Sequence, residues 1–446
     1  MDKAAEVAII GAGLAGAEAA WQLARRGVRV VLWEMRPERT TPAHVTGDFA
    51  ELVCSNSLRS DDLANAAGLL KAEMERLGSL VIAAARATAT PAGGALAVDR
   101  ARFSAAITKR LLALPAVRLR RAEAAALPPG PAIIAAGPLA SPALAAAIRE
   151  LTGRDSLYFF DAAAPIVTLE SVDQTRAFWA SRYDKGGRDY LNCPLNEEEY
   201  LRFHAALLTA ETAEIHGFEQ KMVFEGCMPI EVMASRGLRT MAFGPLKPVG
   251  LTDPRTGRPP WAAVQLRKEN LAGDLLNLVG FQTHLRRSEQ ERVFRMIPGL
   301  ERAEFARYGV MHRNTYIRGP AVLNSDFSAK ARPDLFFAGQ ITGVEGYIES
   351  AASGLMTALS LYRRLCGRPL PPFPPETALG GLAAHITASP SDDYQPMNVT
   401  FGLLPPLAGK IRGKREKNRA LAARALAALD GFSQKHELTA DAADLA

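Results

Sequence analysis

The feature that most constrains the fold is a glycine-rich turn between two apolar strands near the amino end of the chain. Residues 5–11 (AEVAIIG) form the first predicted strand, and the turn GAGLAG at 11–16 leads into a helix that ends at Gly27. The run VRVVLWE at 28–34 forms the second predicted strand. This order of elements, over about 30 residues, predicts a βαβ unit of the dinucleotide-binding type. The sequence therefore predicts an α/β fold with a parallel sheet.

The three glycines of this turn have separate physical roles. Gly11 permits the tight turn, Gly13 lets the backbone approach a pyrophosphate, and Gly16 allows the helix to pack closely on the strand. The free N–H groups at the start of the helix attract the anion. Glu34, which ends the second strand, is expected to accept hydrogen bonds from an adenosine ribose. The turn residues expected to bind the cofactor are Gly11, Ala12, Gly13, Leu14, Ala15 and Gly16.

Length and composition limit the remaining architecture. A chain of 446 residues is too long for one ordinary core, so two or three lobes are expected. The content of 48% hydrophobic and 22% charged residues is typical of a globular protein, and no apolar run is long enough to span a membrane. The net charge of +6 is compatible with a polyanionic partner without requiring one.

The four cysteines indicate a reducing compartment. Cys54, Cys193, Cys227 and Cys366 show neither a CxxC motif nor the Cys/His spacing of a metal site. The chain start passes directly into the first strand, so no signal peptide is predicted. A cytoplasmic protein with free thiols and no bound metal is therefore expected.

The middle of the chain differs in pattern from its two ends. Between about 150 and 320, strand-like runs at 164–170, 262–267 and 275–281 alternate with turns rich in proline and glycine. This change predicts a second, smaller α+β domain that is inserted into the first.

A second glycine-rich junction follows the middle segment. DLFFAGQ at 334–340 forms a predicted strand, GVEGY at 343–347 a turn, and the next residues a helix rich in small side chains. Two such junctions are typical of a flavin enzyme, in which one helix end meets the adenosine diphosphate and another meets the isoalloxazine. Since no second GxGxxG occurs, a nicotinamide donor is expected to bind only transiently. The residues of this junction expected to contact the cofactor are Gly339, Gln340, Gly343, Gly346 and Tyr347.

Four motifs then stand in a fixed order: GAGLAG, FAELVCSNSLRSDD, FEGCMPIE and FFAGQITGVEGYIESAASGL. Together they resemble the bacterial folate- and FAD-dependent tRNA (uracil-5-)-methyltransferases, which are related to the FAD enzymes that modify the wobble uridine. The resemblance runs from about residue 5 to about residue 430. It implies a Rossmann-type FAD-binding domain of the glutathione-reductase type with an inserted α+β domain. The implied divisions are 1–150 and 321–446 for the FAD-binding domain, and 151–320 for the substrate domain.

The same resemblance implies the reaction. Methylenetetrahydrofolate supplies one carbon to C5 of a uridine in the T-loop of tRNA, reduced flavin supplies reducing equivalents, and NADH or NADPH reduces the flavin. Cys227 and Cys54 match the two functional cysteines of the family. A thiol is needed because uracil C5 is a poor nucleophile until a thiolate adds to C6. Which of the two cysteines attacks C6 stays open, and so does the oligomeric state.

Some assignments keep two readings. By resemblance, His312 stacks on the pterin of the folate, or it is a structural histidine. The basic run KIRGKREKNR at 410–419 either starts a solvated helix or contacts phosphates in the T-arm of tRNA. The alternative functions are modification of the wobble uridine and non-catalytic tRNA binding by a flavin-bearing protein. Chain length and the FEGCMPIE motif argue against the wobble reading.

Overall fold

A computed structural model describes residues 6–153, 157–213, 228–390 and 394–439, and for 157–162 and 311–314 it describes the backbone alone. The larger sheet has six strands in the order β16-β17-β7-β1-β2-β6, of which β16 alone is antiparallel to its neighbour. Its strands are β1 (Glu6–Ile10), β2 (Arg29–Glu34), β6 (Val117–Arg121), β7 (Ala132–Ile134), β16 (Ser328–Ala329) and β17 (Arg332–Phe337).

The strand order of this sheet reverses at β1. Helix α1 (Leu14–Ala24) carries the chain from β1 to β2 on one side, and β7 pairs with β1 on the other. The predicted strand, glycine turn, helix and strand are all present at the predicted positions. In an open parallel sheet, ligands bind beyond the carboxyl ends of the strands at such a reversal.

Helices cover this sheet and form one hydrophobic core with it. The core draws on residues 7–148 and again on 317–438, so the two ends of the chain fold together. The covering helices are α2 (Ala66–Arg76), α3 (Leu80–Ala87), α4 (Arg100–Leu112), α5 (Pro142–Thr152), α10 (Gly319–Val322), α11 (Tyr347–Leu365), α12 (Ala378–Ala388) and α13 (Lys414–Lys435). A small sheet of β3 (Ser57–Ser60), β4 (Ala89–Thr90) and β5 (Ala95–Val98) lies in the same part of the chain.

The middle of the chain has a separate sheet and a separate core. This core draws on residues 164–303. The sheet is antiparallel throughout, in the order β10-β11-β12-β13-β9-β14. Its strands are β9 (Ile166–Thr168), β10 (Phe178–Trp179), β11 (Tyr190–Leu195), β12 (Ala262–Lys268), β13 (Leu275–Leu278) and β14 (Phe305–Arg307), and its helices are α6 (Glu197–Thr209), α7 (Ile230–Ser235), α8 (Thr240–Phe243) and α9 (Arg287–Phe294).

The chain passes between the two cores through one antiparallel pair of strands. β8 (Leu157–Ala162) leads out of the first core, and β15 (Met311–Tyr316) leads back and pairs with it along its whole length. The middle part is therefore an insertion in the topological sense, while the domain limits at residues 150 and 320 stay predictions. No helix among the described residues is long and apolar enough to cross a membrane.

Glycines let α1 and α11 approach each other closely beneath the glycine turn. A Cβ on Gly354 of α11 would lie 2.2 Å from the carbonyl oxygen of Ala15, and a Cβ on Gly16 would lie 1.8 Å from that of Gly11. Both distances are far below any real Cβ contact, and both neighbours are backbone atoms that cannot turn aside. Gly354 therefore lets α11 pack against the glycine turn, and Gly16 lets the start of α1 pack against the backbone of that turn.

Substituting Gly354 by alanine is expected to lower the free energy of unfolding by about 2 kcal/mol or more, since the new methyl group forces the two helices apart. Gly431, an exposed glycine of α13 whose Cβ would meet nothing within 4 Å, is the matched control. Gly431→Ala is expected to raise stability by up to about 1 kcal/mol, because alanine favours the helix. Denaturant unfolding of both variants measures the two effects. A Gly354→Ala protein as stable as the unsubstituted chain would contradict the close packing.

Candidate active site

A cavity of about 360 Å³ opens at the carboxyl edge of the larger sheet. Its volume lies within the range of pockets that hold small molecules and cofactors. The cavity brings together three segments that are far apart in sequence: both glycine-rich junctions and the loop that carries Cys54. The predicted site residues that line it are Gly11, Gly13, Leu14, Ala15, Glu34, Cys54, Gly339, Gln340, Gly346 and Tyr347.

Three further candidates lie behind the lining. The N–H of Ala12 donates a hydrogen bond to Oε2 of Glu34, at 3.1 Å. Gly16 packs against the backbone of Gly11, as described above. Gly343 has a φ of +90°, and a Cβ there would lie 2.5 Å from the ring of Tyr394. These residues shape the cavity wall without facing the cavity.

Two candidates cannot be placed in this cavity. Cys227 lies outside the described residues. The backbone of His312 pairs with that of Asp161 in the β8–β15 ladder, and its side chain is outside the description. The roles of both residues stay predictions from the sequence.

The glycine turn has the geometry that a dinucleotide pyrophosphate requires. Gly13 caps α1 with φ −68° and ψ −171°, and no side-chain hydrogen bond is made from this cap position. A Cβ on Gly13 would meet nothing within 4 Å, so the glycine faces open space in the cavity. The first N–H groups of α1 are therefore open to an anion, as in dinucleotide sites. The residues present fit the adenine dinucleotide that the sequence predicts.

Glu34 stands at the end of β2 with its carboxylate already engaged. Oε1 accepts from the backbone N–H and from Nε of Arg36, at 3.0 and 2.9 Å, and Oε2 accepts from Nη2 of Arg36 at 3.0 Å. Burial raises the pKa of Glu34, but the hydrogen bonds and charge of Arg36 outweigh this and lower it overall. Since Arg36 also lines the cavity, a bound ribose would meet the Glu34–Arg36 pair rather than a lone carboxylate. The sequence pattern did not reveal Arg36.

The Cys54 loop joins the second glycine junction through Tyr347. The Tyr347 hydroxyl accepts hydrogen bonds from the N–H groups of Cys54 and Ser55, at 2.7 and 3.1 Å. The same hydroxyl donates to Sγ of Cys54, at 3.1 Å. Burial raises the pKa of Tyr347 well above its ordinary value, and the neighbouring Cys54 raises it further. The hydroxyl therefore keeps its proton across the physiological range.

The segment that carries Cys54, residues 40–65, is polar with scattered apolar positions, a pattern that predicts one long loop near the cofactor. It is irregular up to residue 56 and then contains strand β3, which pairs with β5. The pairing escaped prediction because the four residues SLRS lack an apolar alternation and their partner lies almost 40 residues further on.

The inserted part of the chain holds this loop in place. Asn56 is completely buried, and its Nδ2 donates to the carbonyl groups of Lys268 and Glu269, at 3.0 and 3.2 Å. In return, Arg267 donates from Nε to Oδ1 of Asn56 at 3.0 Å and from Nη2 to Oγ of Ser55 at 2.9 Å. The two parts of the chain therefore meet at the residues next to Cys54.

Two more arginines hold the residues before Cys54. Nη1 of Arg100 donates to the carbonyl of Leu52 at 2.7 Å, and Nη2 of Arg307 donates to the carbonyl of Val53 at 2.5 Å. We refer to Arg100, Arg267 and Arg307 as the arginine clamp. Sequence reasoning missed all three. The signal was faint: Arg267 is a nearly buried arginine within the apolar strand run AAVQLR.

The second glycine junction supplies a further part of the cavity wall. Gly339 and Gly346 have φ values of +86° and +110°, which glycine adopts without strain. The N–H of Gly339 donates to Oγ of Ser353, at 2.6 Å. Glu349, in the first turn of α11, is buried and pairs with Arg59 of the Cys54 loop. Within the described residues, no group of three or more His, Cys, Asp or Glu side chains has an arrangement that could hold a metal ion.

The other two cysteines lie away from the cavity lining. Cys193 is completely buried in the core of the inserted part, where burial raises the pKa of its thiol to about 12. Cys366 caps the end of α11. Both positions fit packing roles.

Comparisons with known proteins agree on one group of relatives. The profile of the family described as "Glucose inhibited division protein A" matches residues 6–369. The chain is 62% identical to the methylenetetrahydrofolate–tRNA-(uracil-5-)-methyltransferase TrmFO of Desulfitobacterium hafniense, covering 96% of this chain and 98% of that protein. It is 63% identical to the protein of the same name from Heliobacterium modesticaldum, covering 96% and 97%. The solved structure of GidA from Aquifex aeolicus matches the fold with a TM-score of 0.71 at 14% identity, over 99% of this chain and 74% of that one.

Proposed function

The chain belongs to the glucose inhibited division protein A family and to the methylenetetrahydrofolate–tRNA-(uracil-5-)-methyltransferases, and we propose that it methylates C5 of the T-loop uridine of tRNA. Methylenetetrahydrofolate is the one-carbon donor, FAD is the bound cofactor, and NADH or NADPH is the reductant. Because its substrate is tRNA, the enzyme works in the cytoplasm.

One observation supports this assignment above the others: a dinucleotide cavity that has a cysteine in its wall. The glycine turn and Gly13 fit the pyrophosphate of FAD, and the second junction at Gly339 and Gly346 fits its far end. Cys54 lines the same cavity and contacts Tyr347 of the second junction. When bound, FAD supplies the reducing equivalents that turn a transferred one-carbon unit into a methyl group.

The protein's own residues carry out the remaining steps. A thiolate adds to C6 of the uracil, which makes C5 nucleophilic toward the one-carbon unit, and a base then removes the C5 proton. We assign the addition at C6 to Cys227 by its motif, and the second thiol function to Cys54. The Tyr347 hydroxyl and the arginine clamp fix the place of the Cys54 sulfur in the cavity.

A basic surface near this loop suits the phosphates of tRNA. The residues from Lys410 to Arg419 include six basic side chains, all exposed, against one acidic side chain. Nη2 of Arg415 pairs with Asp62 at 3.0 Å, and Asn418 donates to the carbonyl of Ala64 at 2.9 Å. The start of α13 is thereby attached to the segment that continues from the Cys54 loop.

Neutralising Lys414, Arg415 and Lys417 together by substitution with glutamine is expected to weaken tRNA binding at least tenfold at low salt. If the three side chains contact phosphates, the negative slope of log K against log salt also becomes shallower by about 2.1–2.7, since each lost contact removes about 0.7–0.9. Flavin content is expected to stay the same. Binding titrations at several salt concentrations measure both effects.

The matched control replaces Arg102, Lys109 and Arg110 of α4 by glutamine. These residues are equally exposed, and their substitution removes the same amount of charge. This control is expected to leave the slope nearly unchanged. An equal loss of affinity in both triple variants would indicate a general charge effect. Unaltered binding in the first variant would leave the basic run as a solvated helix start.

Nucleoside analysis of tRNA from a strain that lacks the gene tests the proposed function against its alternatives. We expect loss of 5-methyluridine from the T-loop, with the wobble position unchanged. Loss of a wobble modification would favour that alternative, and no loss of any modified nucleoside would favour a non-catalytic binding protein.

A further inference from the structure

The Tyr347 hydroxyl has only one direction left for its proton. A phenol oxygen accepts two hydrogen bonds and donates one. Both acceptor positions are filled by the N–H groups of Cys54 and Ser55, at 2.7 and 3.1 Å. The proton therefore points at Sγ of Cys54, which lies at 3.1 Å. A donor fixed in this way stabilises a sulfur that carries negative charge more than one that carries a proton.

The arginine clamp places positive charge on the residues next to the same sulfur. Its three guanidinium groups bind the residues on both sides of Cys54: Leu52, Val53, Ser55 and Asn56. Burial lowers the pKa of both Arg267 and Arg307, and attraction to the Cys54 sulfur opposes this in small part. These two guanidinium groups therefore lie within electrostatic reach of the sulfur.

Among the described residues, the acidic group that faces the clamp is Glu269, which directly follows β12. It is paired with Arg100, and burial raises its pKa. The three positive charges of the clamp are therefore only partly balanced by the one buried carboxylate of Glu269. The other ionisable residues of the cavity wall are His44, Glu51, Arg59, Glu123 and Glu345, together with the Glu34–Arg36 pair. Of these, Glu51 is paired with Arg36 at 3.0 Å, and Arg59 is paired with Glu349.

We propose that Cys54 is held as a thiolate at neutral pH by the Tyr347 hydroxyl and the arginine clamp, so that Tyr347 is a positioning residue that acts through the sulfur. The use of this thiolate in methyl transfer rests on the proposed function, whereas its existence at neutral pH does not. A thiolate attacks an electrophilic carbon, whereas a protonated thiol does not.

The purified flavoprotein is titrated with pH while the far-ultraviolet absorbance of the thiolate is followed. Subtracting the curve of the Cys54→Ala protein isolates this one sulfur from the other three. We expect a midpoint below about pH 7, against about 8.5 for an ordinary cysteine. A midpoint at or above 8.5 would overturn the proposal, and the result depends on neither tRNA nor folate.

The same pH titration of the Tyr347→Phe protein tests the role of the hydroxyl. Its reference curve comes from the double variant Tyr347→Phe, Cys54→Ala. Loss of a hydrogen bond to a charged sulfur is expected to raise the midpoint by about one pH unit, a tenfold loss of thiolate below the midpoint. If Tyr347 only anchors the backbone N–H groups, the melting temperature falls while the midpoint stays in place. That result would also overturn the proposal. Flavin absorbance shows whether each variant still folds around its cofactor.

Two substitutions of Arg307, which is partly exposed, test the clamp. Arg307→Gln removes the charge and is expected to raise the midpoint, whereas Arg307→Lys keeps the charge and is expected to restore most of the shift. Equal midpoints in the two variants would overturn the proposal that the charge of Arg307 stabilises the thiolate.

Discussion

Cys54→Ala and Cys227→Ala are each expected to abolish methyl transfer, with a loss of more than about a thousandfold in the rate of 5-methyluridine formation. The reason is that the proposed reaction uses two thiols: one for activation of the uracil at C6, and one for the second thiol function assigned to Cys54. Cys54 lines the cofactor cavity, partly exposed, so its removal leaves the surrounding packing almost unchanged. Both variants are expected to keep the fold and the flavin. Nucleoside analysis after incubation with unmodified tRNA measures the loss.

A tRNA that contains 5-fluorouridine separates the two thiols. It traps the thiol that adds to C6, because the fluorine at C5 cannot leave as a proton does. We expect Cys227→Ala to lose this covalent adduct and Cys54→Ala to keep it, and the reverse pattern would exchange the two roles. Cys366→Ala is the control for thiol loss away from the cavity. Full activity in Cys227→Ala would refute its catalytic role.

Gly13→Val is expected to produce a folded protein that has lost its flavin, with occupancy reduced at least about tenfold. The backbone of Gly13, at φ −68°, accommodates valine, and a Cβ there meets no protein atom within 4 Å. The new side chain therefore occupies the space that the pyrophosphate needs, without disturbing the packing. Flavin absorbance of the purified protein, relative to its protein concentration, measures the occupancy.

Two other glycines serve as controls for this result. Gly94→Val, in an exposed turn with nothing within 4 Å of its Cβ, is expected to keep the flavin. Gly16→Val is expected to prevent folding, because its Cβ would lie 1.8 Å from a backbone oxygen. Full flavin occupancy in Gly13→Val would contradict the assignment of the turn to FAD.

Local patterns in the sequence were enough to predict the cofactor cavity. The strand before Gly11, the glycines of the turn and the acid at Glu34 lie within one unit of the chain, and their spacing alone fixes their geometry. The junction at Gly339 to Tyr347 has the same local character. The fold class follows from these two segments and is confirmed by the structural match to GidA.

The side chains that surround Cys54 could not be predicted from local sequence patterns. Arg267 contacts Asn56 across 211 positions of the chain, and Arg307 contacts Val53 across 254. No spacing rule connects residues so far apart, and a buried arginine in a strand has no motif of its own. The link between Tyr347 and Cys54 spans 293 positions, and the sequence predicted only that both residues lie near the flavin. Tertiary contacts therefore set the environment of the thiol, while local patterns set that of the cofactor.

The most direct test of the central claim uses purified protein, unmodified tRNA, NADH or NADPH, and methylenetetrahydrofolate that carries an isotopic label on its methylene carbon. We predict that the label appears in 5-methyluridine of the T-loop, that omission of either the folate or the reductant prevents it, and that S-adenosylmethionine does not replace the folate. A tRNA that stays unlabelled and unmodified, under conditions in which the flavin is reduced, would contradict the account.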